Sequence, residues 1–153
     1  MEYGSQEMSG NLKRVLMRKP GPSLLAAEPS VWHYGPTFQA DSAIRQYTAF
    51  AELVAASCAD ILWLEDGADG LADAMFTHDP SLMTNHGAII LRMGKPLRMD
   101  EPRLHHDAYK AAGIPILGTI VAPGTVEGGD CVWVDEKTLA VGRGVRTNQA
   151  GID

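Results

Sequence analysis

The chain is short of basic residues. Its 153 residues include 13 lysines and arginines against 19 aspartates and glutamates, which gives a formal net charge of -6 at pH 7. No cluster of lysines or arginines offsets this balance, whereas a nucleic-acid-binding protein carries a basic patch that neutralises phosphates. The sequence therefore predicts no nucleic-acid partner.

Long apolar runs and cysteines are also scarce. No apolar run approaches the roughly 20 residues that cross a bilayer, and the polar segment 1–11 lacks the apolar core of a signal peptide. Two cysteines, Cys58 and Cys131, do not make a disulfide framework. We therefore expect a cytoplasmic protein with reduced thiols and no membrane segment, and we interpret residues 1–11 as a disordered leader.

The rest of the composition is that of an ordinary globular protein, 45% apolar and 21% charged. A compact chain of this length buries roughly 70% of the surface that it exposes when unfolded. We therefore predict one domain over residues 12–153.

Hydrophobic patterning alternates between the periods of strands and helices. Strands are predicted over 12–18, 60–65, 74–77, 82–84, 87–91, 114–121, 131–134 and 139–142. A helix is predicted over 41–58, where Ile44, Tyr47, Ala51, Val54 and Cys58 form an apolar stripe that Phe50 and Leu53 widen. Trp63 and Trp133 are interpreted as strand core residues. The order of elements indicates an α/β fold in which a unit of two strands, a helix and a strand recurs about every 50 residues.

A second helix is predicted between Asp100 and Gly113. Asp100 is expected to cap its first turn, which holds Pro102, and the glycine is expected to end it. Leu104, Ala108 and Ala111 are predicted to face inward. His105 and His106 lie about 100° apart on this helix, which makes a shared metal ion unfavourable.

Two acidic residues flank the segment 74–78. In a strand, Asp73, Met75, Thr77 and Asp79 face one way, so two carboxylates project from a single face. Buried carboxylates are costly unless a cation meets them. A planar guanidinium fits this demand because it donates two parallel hydrogen bonds to one carboxylate, and its source is either an internal arginine or a ligand.

The run Glu127-Gly128-Gly129-Asp130 places two further acids around adjacent glycines. Paired glycines let a backbone approach a ligand closely. Turns of this composition are also common in proteins, so the run alone favours a structural turn over a site.

Taken in order with their neighbours, these residues resemble the pentein superfamily of guanidino-group-modifying enzymes. The match is closest to the branch of dimethylarginine dimethylaminohydrolases, arginine deiminases and amidinotransferases. The residues that carry it are 76–80 (Phe-Thr-His-Asp-Pro), 87–90, Arg98 with Glu101, 122–130 (Ala-Pro-Gly-Thr-Val-Glu-Gly-Gly-Asp) and 142–148, within 12–152. The implied fold is a five-bladed α/β propeller of which this chain holds two to three blades.

The resemblance also implies roles for single residues. Asp79 matches the carboxylate that binds the substrate guanidinium, and Glu127 matches the acid that orients a catalytic histidine. Asp73 corresponds to a residue near the substrate α-amino group. Arg98 and Arg146 correspond to arginines that meet its α-carboxylate. Asp130 is assigned either to the substrate or to the turn that holds it. The implied substrate is arginine or a substituted arginine, with no cofactor or metal.

Family members use a late cysteine to form a covalent amidino-cysteine intermediate, with a histidine as acid and base. Neither matching residue is present up to Asp153, so we expect the 153-residue chain to be inactive alone. Cys58 lies on a predicted helix face. Cys131 follows Asp130, whose negative charge is expected to raise the pKa of the thiol. His78 also departs from the family pattern, which leaves the identity of the guanidino substrate open.

Other interpretations of the chain remain. One is a non-catalytic module that binds guanidino ligands or assembles through open propeller edges, because exposed strand edges and apolar surface need covering. A homo-oligomer is expected for the same reason. Another is a truncated gene product with no function of its own. The choice between hydrolase, deiminase and transferase is also open.

Overall fold

A computed structural model describes residues 3–4, 6–57, 60–65 and 70–153. The chain divides into two compact units, one of residues 11–77 and one of residues 1–10 with 78–153. The prediction of one domain over 12–153 stays a prediction. Among the described residues, no helix combines the length and apolar character needed to cross a bilayer.

The unit of residues 11–77 contains two parallel strands joined through helices. Strand β1 (Arg14–Met17) pairs in parallel with β2 (Asp60–Trp63). Between them lie α1 (Pro22–Leu25), α2 (Pro29–Trp32) and the long helix α3 (Ala40–Ser57). Parallel strands require such a crossover, so the predicted strand–helix–strand order is confirmed.

Helix α3 turns a narrower face inward than predicted. Ala51 and Val54 are buried and pack on Met17 of β1. Phe50 and Leu53 are exposed, so the prediction that they widen the buried stripe was wrong. Phe50 and Leu53 each come one residue before a buried position. One residue along a helix is a rotation of about 100°, which turns these two side chains toward solvent. Cys58 lies outside the described residues.

Trp63 was predicted to be a strand core residue, and the structure corrects this. Its side chain is 39% exposed at the end of β2. The Lys19 ammonium lies 5.0 Å from the centre of the indole ring, which is within the range of a cation–π contact.

The segment before Asp79 is helical rather than extended. Residues Ala72–Met75 form a 3-10 helix, in which the Phe76 N–H donates to the Asp73 carbonyl at 2.9 Å. The predicted strand over 74–77 was therefore wrong, and strand alternation does not place Asp73 and Asp79 on one face. The Asp73 carboxylate is buried and accepts a hydrogen bond from the Tyr34 hydroxyl at 2.8 Å.

The second unit contains one complete strand–strand–helix–strand motif. Strands β3 (Ser81–Thr84) and β4 (Gly87–Ile90) are antiparallel, helix α4 (Glu101–Ala111) follows, and β5 (Ile116–Thr119) returns parallel to β4. The sheet order is β3-β4-β5. This confirms the predicted motif of two strands, a helix and a strand. The residues just before β3 and the turn that leads into α4 both lie within residues 78–153.

A hairpin and a short helix complete this unit. Strands β6 (Cys131–Asp135) and β7 (Thr138–Val141) are antiparallel, and α5 spans Gln149–Ile152. The side chains of Leu82, Leu91, Val126 and Cys131 form its buried apolar cluster, and Trp133 packs against that cluster. Trp133 therefore packs against the core from a partly buried position, which agrees in part with the prediction of a strand core residue.

Helix α4 faces inward one residue later than predicted. His105 and Tyr109 are buried, whereas Ala111 is exposed. His105 and Tyr109 face inward because both meet Ser81. The Ser81 hydroxyl lies 2.9 Å from His105 Nδ1 and 2.8 Å from the Tyr109 hydroxyl. Polar side-chain atoms can be buried when they form hydrogen bonds of this kind. Gly113 adopts a left-handed φ of 71° and ends the helix as predicted, but Asp100 makes no side-chain capping bond.

The predicted disordered leader over 1–11 stays a prediction. Of its described residues, Gln6 makes two hydrogen bonds within the second unit, to which it belongs. Its side chain donates to the Glu136 carbonyl at 2.6 Å and accepts from the Asn85 N–H at 3.0 Å.

Candidate functional site

Asp79 is held from two sides just before strand β3. One carboxylate oxygen accepts the Gly129 N–H at 3.1 Å, and the other accepts from the Arg98 guanidinium at 2.7 Å. Its backbone carbonyl accepts the Gly128 N–H at 2.9 Å. The side chain keeps 20% of its surface exposed, so a ligand can still reach this fixed carboxylate.

Arg98 is positioned by Glu101. A 3-10 turn over Pro96–Arg98 leads into α4, and it sets these two side chains three residues apart. Arg98 Nε donates to Glu101 at 2.9 and 3.0 Å, and Nη2 donates at 2.8 Å. Glu101 is fully buried and the Arg98 side chain is 3% exposed.

The charge of Arg98 is secured by these carboxylates. Burial by itself lowers the pKa of the Arg98 guanidinium, because an apolar environment disfavours the charged form. Hydrogen bonds and charge attraction from Glu101 and Asp79 together outweigh burial and raise the pKa above its ordinary value. Arg98 therefore acts as a permanent cation beside Asp79.

Space requires a glycine at position 128 and leaves little room for a side chain at position 129. A Cβ on Gly128 would strike the backbone carbonyl of His78, and one on Gly129 would lie 3.0 Å from the Asp79 carboxylate. The turn, a 3-10 segment over Gly128–Asp130, therefore packs directly on the chain that carries Asp79. The structural-turn interpretation of this run is confirmed, and the turn also supports the Asp79 carboxylate. The site interpretation stays a prediction.

Glu127 begins this turn and is 4% exposed. One carboxylate oxygen accepts the backbone N–H groups of Gly94 and Lys95 at 3.0 and 3.3 Å. The other oxygen accepts from Arg146 Nη1 at 2.7 Å. The Arg146 side chain is 44% exposed, so its guanidinium covers Glu127 from the solvent side.

Asp130 ends the turn and contacts Thr147. Its carboxylate accepts a hydrogen bond from the Thr147 hydroxyl at 2.6 Å, and that hydroxyl accepts the Glu127 N–H at 3.1 Å. The Asn148 side-chain oxygen accepts a hydrogen bond from the Thr125 N–H at 3.0 Å. Sequence reasoning assigned no role to Thr147 or Asn148, although their place directly after Arg146 was the available signal.

The structure thus brings five of the six predicted site residues into one unit. These are Asp79, Arg98, Glu127, Asp130 and Arg146, all within residues 78–153. Asp73 belongs to the unit of residues 11–77. Within the described ranges, no three acidic, histidine or cysteine side chains group closely enough to hold a metal ion.

Cys131 has the properties of a structural thiol. The residue is 4% exposed, and its sulfur lies 3.8 Å from the Glu127 carbonyl. Burial raises the pKa of the Cys131 thiol, and the negative charge of Asp130 raises it further. The predicted direction of this shift is confirmed, with burial as the larger cause. A protonated, enclosed thiol is a poor nucleophile.

Alkylation of Cys131 is therefore expected to be slow. At pH 8 we expect iodoacetamide to modify Cys131 at least about tenfold more slowly in the folded chain than in guanidinium chloride, since the thiolate is the reactive form. Mass spectrometry of the peptide that contains Cys131 measures both rates on the same protein. Equal rates would show that the thiol is open to solvent and ionised, contrary to the geometry described above.

Comparison with known proteins identifies relatives of this chain. The family model described as arginine deiminase matches residues 68–153. A dimethylarginine dimethylaminohydrolase of Streptomyces coelicolor is 33% identical over 141 residues, which are 92% of this chain and 53% of that protein. The enzyme of the same description from Pseudomonas aeruginosa is 31% identical over 139 residues, 91% of this chain and 53% of its own length.

A solved structure shows the same relationship in three dimensions. A cysteine-to-serine variant of the Pseudomonas aeruginosa dimethylarginine dimethylaminohydrolase, complexed with citrulline, superposes with a TM-score of 0.74 at 26% identity. The match covers 92% of this chain and 53% of that one. The chain therefore spans about half the length of these two curated relatives.

Proposed function

This chain belongs to the arginine deiminase family, within the pentein superfamily of guanidino-modifying enzymes, and from this membership we propose that it supplies the substrate-holding part of a guanidino-group hydrolase. Its fold class is the predicted pentein-type α/β structure. The proposed substrate is arginine or a substituted arginine such as a dimethylarginine.

One observation carries this proposal: the turn that supports Asp79 stands among several fixed carboxylates. Asp79 and Glu101 both contact Arg98. Glu127 is paired with Arg146, and Asp130 accepts the Thr147 hydroxyl. Such a site favours a cationic guanidinium, and a carboxylate accepts its parallel N–H groups with good geometry.

Asp79 is the proposed contact for the substrate guanidinium. Its position is fixed by Gly129 and Arg98, while a fifth of its side-chain surface stays open. Arg146 is the proposed contact for the substrate α-carboxylate, leaving Glu127 to reach it. The sequence predicted the same role for Arg98, but its side chain is 3% exposed and its guanidinium is bonded to Glu101 and Asp79, so we assign it to holding Asp79 in place instead. Asp73 near the α-amino group and Asp130 at the substrate stay predictions of the sequence.

The chemical step is proposed to follow the family pattern. In a complete enzyme, a cysteine thiolate attacks the guanidinium carbon, and an amine leaves with a proton from a histidine that Glu127 orients. Water, deprotonated by the same histidine, then attacks this carbon and releases the cysteine. The 153-residue chain is proposed to bind its ligand without turnover, because the described cysteine, Cys131, is buried with a raised pKa. This same observation favours the alternative of a non-catalytic guanidino-binding module.

Calorimetry with L-arginine tests the proposal. We expect the 153-residue protein to bind L-arginine, and Asp79→Asn to weaken binding at least about tenfold, because the variant loses a charge-assisted contact. Asp107→Asn is the matched control, since that carboxylate lies exposed on α4 beside Arg103 and His106. The Asp107→Asn control should bind L-arginine as tightly as the original protein does. An assay for citrulline should detect no turnover of L-arginine by the original protein.

Three results would contradict the proposal. Absence of arginine binding would remove the guanidino-binding function, and an oligomer seen by light scattering would then favour the assembly module. Equal affinities of the Asp79 and Asp107 variants would remove Asp79 from the site. Citrulline formation that Cys131→Ser abolishes would show that the chain carries its own nucleophile.

A further inference from the structure

Thr147 is completely buried and uses its hydroxyl in two directions. The hydroxyl donates to the Asp130 carboxylate at 2.6 Å, a short distance typical of a hydrogen bond to a charged acceptor. The same oxygen accepts the Glu127 N–H at 3.1 Å. One side chain thus joins the first and last residues of the Glu-Gly-Gly-Asp turn.

The two ends of Glu127 are fixed by different parts of the chain. Its carboxylate is held by the N–H groups of Gly94 and Lys95, whereas its backbone N–H is held by Thr147. These two supports lie side by side, because Gly94 packs so closely on the Arg146 backbone that a Cβ there would strike its carbonyl oxygen. A shift of the Glu127 backbone would therefore move the carboxylate relative to the 94–95 loop.

We propose that Thr147 is a positioning residue for Glu127, and that it holds this carboxylate at a fixed place beside the turn that supports Asp79, where its negative charge attracts the guanidinium end of a ligand. The inference rests on the proposed function for its ligand, although the contacts that carry it lie within the unit of residues 78–153. Only a side chain that both donates and accepts can serve Asp130 and Glu127 at once. Serine keeps both contacts, and valine, of nearly the same shape, keeps neither.

Nuclear magnetic resonance of the ligand-free protein tests the positioning directly. In Thr147→Val we expect the amide signals of Gly94 and Lys95 to shift and their hydrogen exchange to accelerate at least about tenfold, since both donate to the Glu127 carboxylate. Thr147→Ser should restore the original signals. The amide of Ala88, which donates to Pro115 within the β4–β5 sheet at 2.8 Å, should stay unchanged in both variants and reports that the fold is intact.

Calorimetry with two ligands separates positioning from general damage. We expect Thr147→Val to weaken L-arginine binding about tenfold and to change L-citrulline binding less than about twofold, because citrulline carries a neutral urea where arginine carries a cation. Thr147→Ser should bind both ligands as the original protein does.

The possible outcomes separate the positioning role of Thr147 from the proposed function. Unchanged Gly94 and Lys95 amides in Thr147→Val would overturn the positioning role, and so would a change that spreads equally to Ala88. Equal losses for arginine and citrulline would also overturn it, since the defect would then not act through the carboxylate. If the original protein binds neither ligand, the proposed function fails, and the amide measurements alone decide the role of Thr147.

Discussion

Replacing Glu101 with glutamine is expected to lower the free energy of unfolding by about 3–5 kcal/mol, the usual cost of removing one partner of a buried ion pair. Glu101 is fully buried and accepts three N–H contacts from Arg98. The amide keeps the shape of the side chain but removes its charge and replaces one acceptor oxygen with a donor. Arg98, only 3% exposed, would keep its charge with one carboxylate fewer.

Denaturant unfolding measures this loss, and the chain supplies a matched control. Arg103 and Asp107 form an ion pair on the same helix at 3.6 Å, with both side chains exposed. Exposed pairs contribute little because water and salt screen them. Asp107→Asn should therefore leave the unfolding midpoint unchanged. A midpoint for Glu101→Gln as high as that of the control would show that Arg98 does not depend on Glu101.

Substituting Gly128 by alanine is the second change with a large expected effect. The added Cβ would strike the backbone carbonyl of His78, which a rotating side chain cannot relieve. Overpacking of this kind costs about 1–3 kcal/mol. The turn must move away from residues 78–79, so the Gly129 N–H would leave the Asp79 carboxylate. We therefore expect lower stability and, in calorimetry, weaker L-arginine binding.

Gly144→Ala is the control for this substitution. A Cβ at Gly144 meets nothing within 4 Å, and the residue does not have a left-handed φ. Alanine there should be neutral or slightly stabilising, because it restricts the unfolded chain. If both alanine variants unfold at the same denaturant concentration, the close approach of the turn to His78 is not what holds Gly128 in place.

The sequence predicted much of the fold because most elements carry a local signal. The α3 stripe and the glycine that ends α4 are such signals, and both elements form as expected. The strand expected over 74–77 failed because alternating residues in so short a segment do not exclude a 3-10 turn, which the Phe76-to-Asp73 hydrogen bond closes. The inward face of α4 depended on Ser81, a partner distant in sequence.

By itself, the sequence determined the family and the acidic residues on which the proposed site depends. It did so through an ordered set of short motifs, each of which is weak alone. Only the tertiary structure decided what these residues contact: Arg98 is set by Glu101, Asp79 lies between Arg98 and a glycine turn, and Thr147 joins Glu127 to Asp130. The physical reason is that hydrogen bonds and charge pairing depend on distances of a few ångströms, and, apart from Arg98 and Glu101, the residues that form them here are far apart in the sequence.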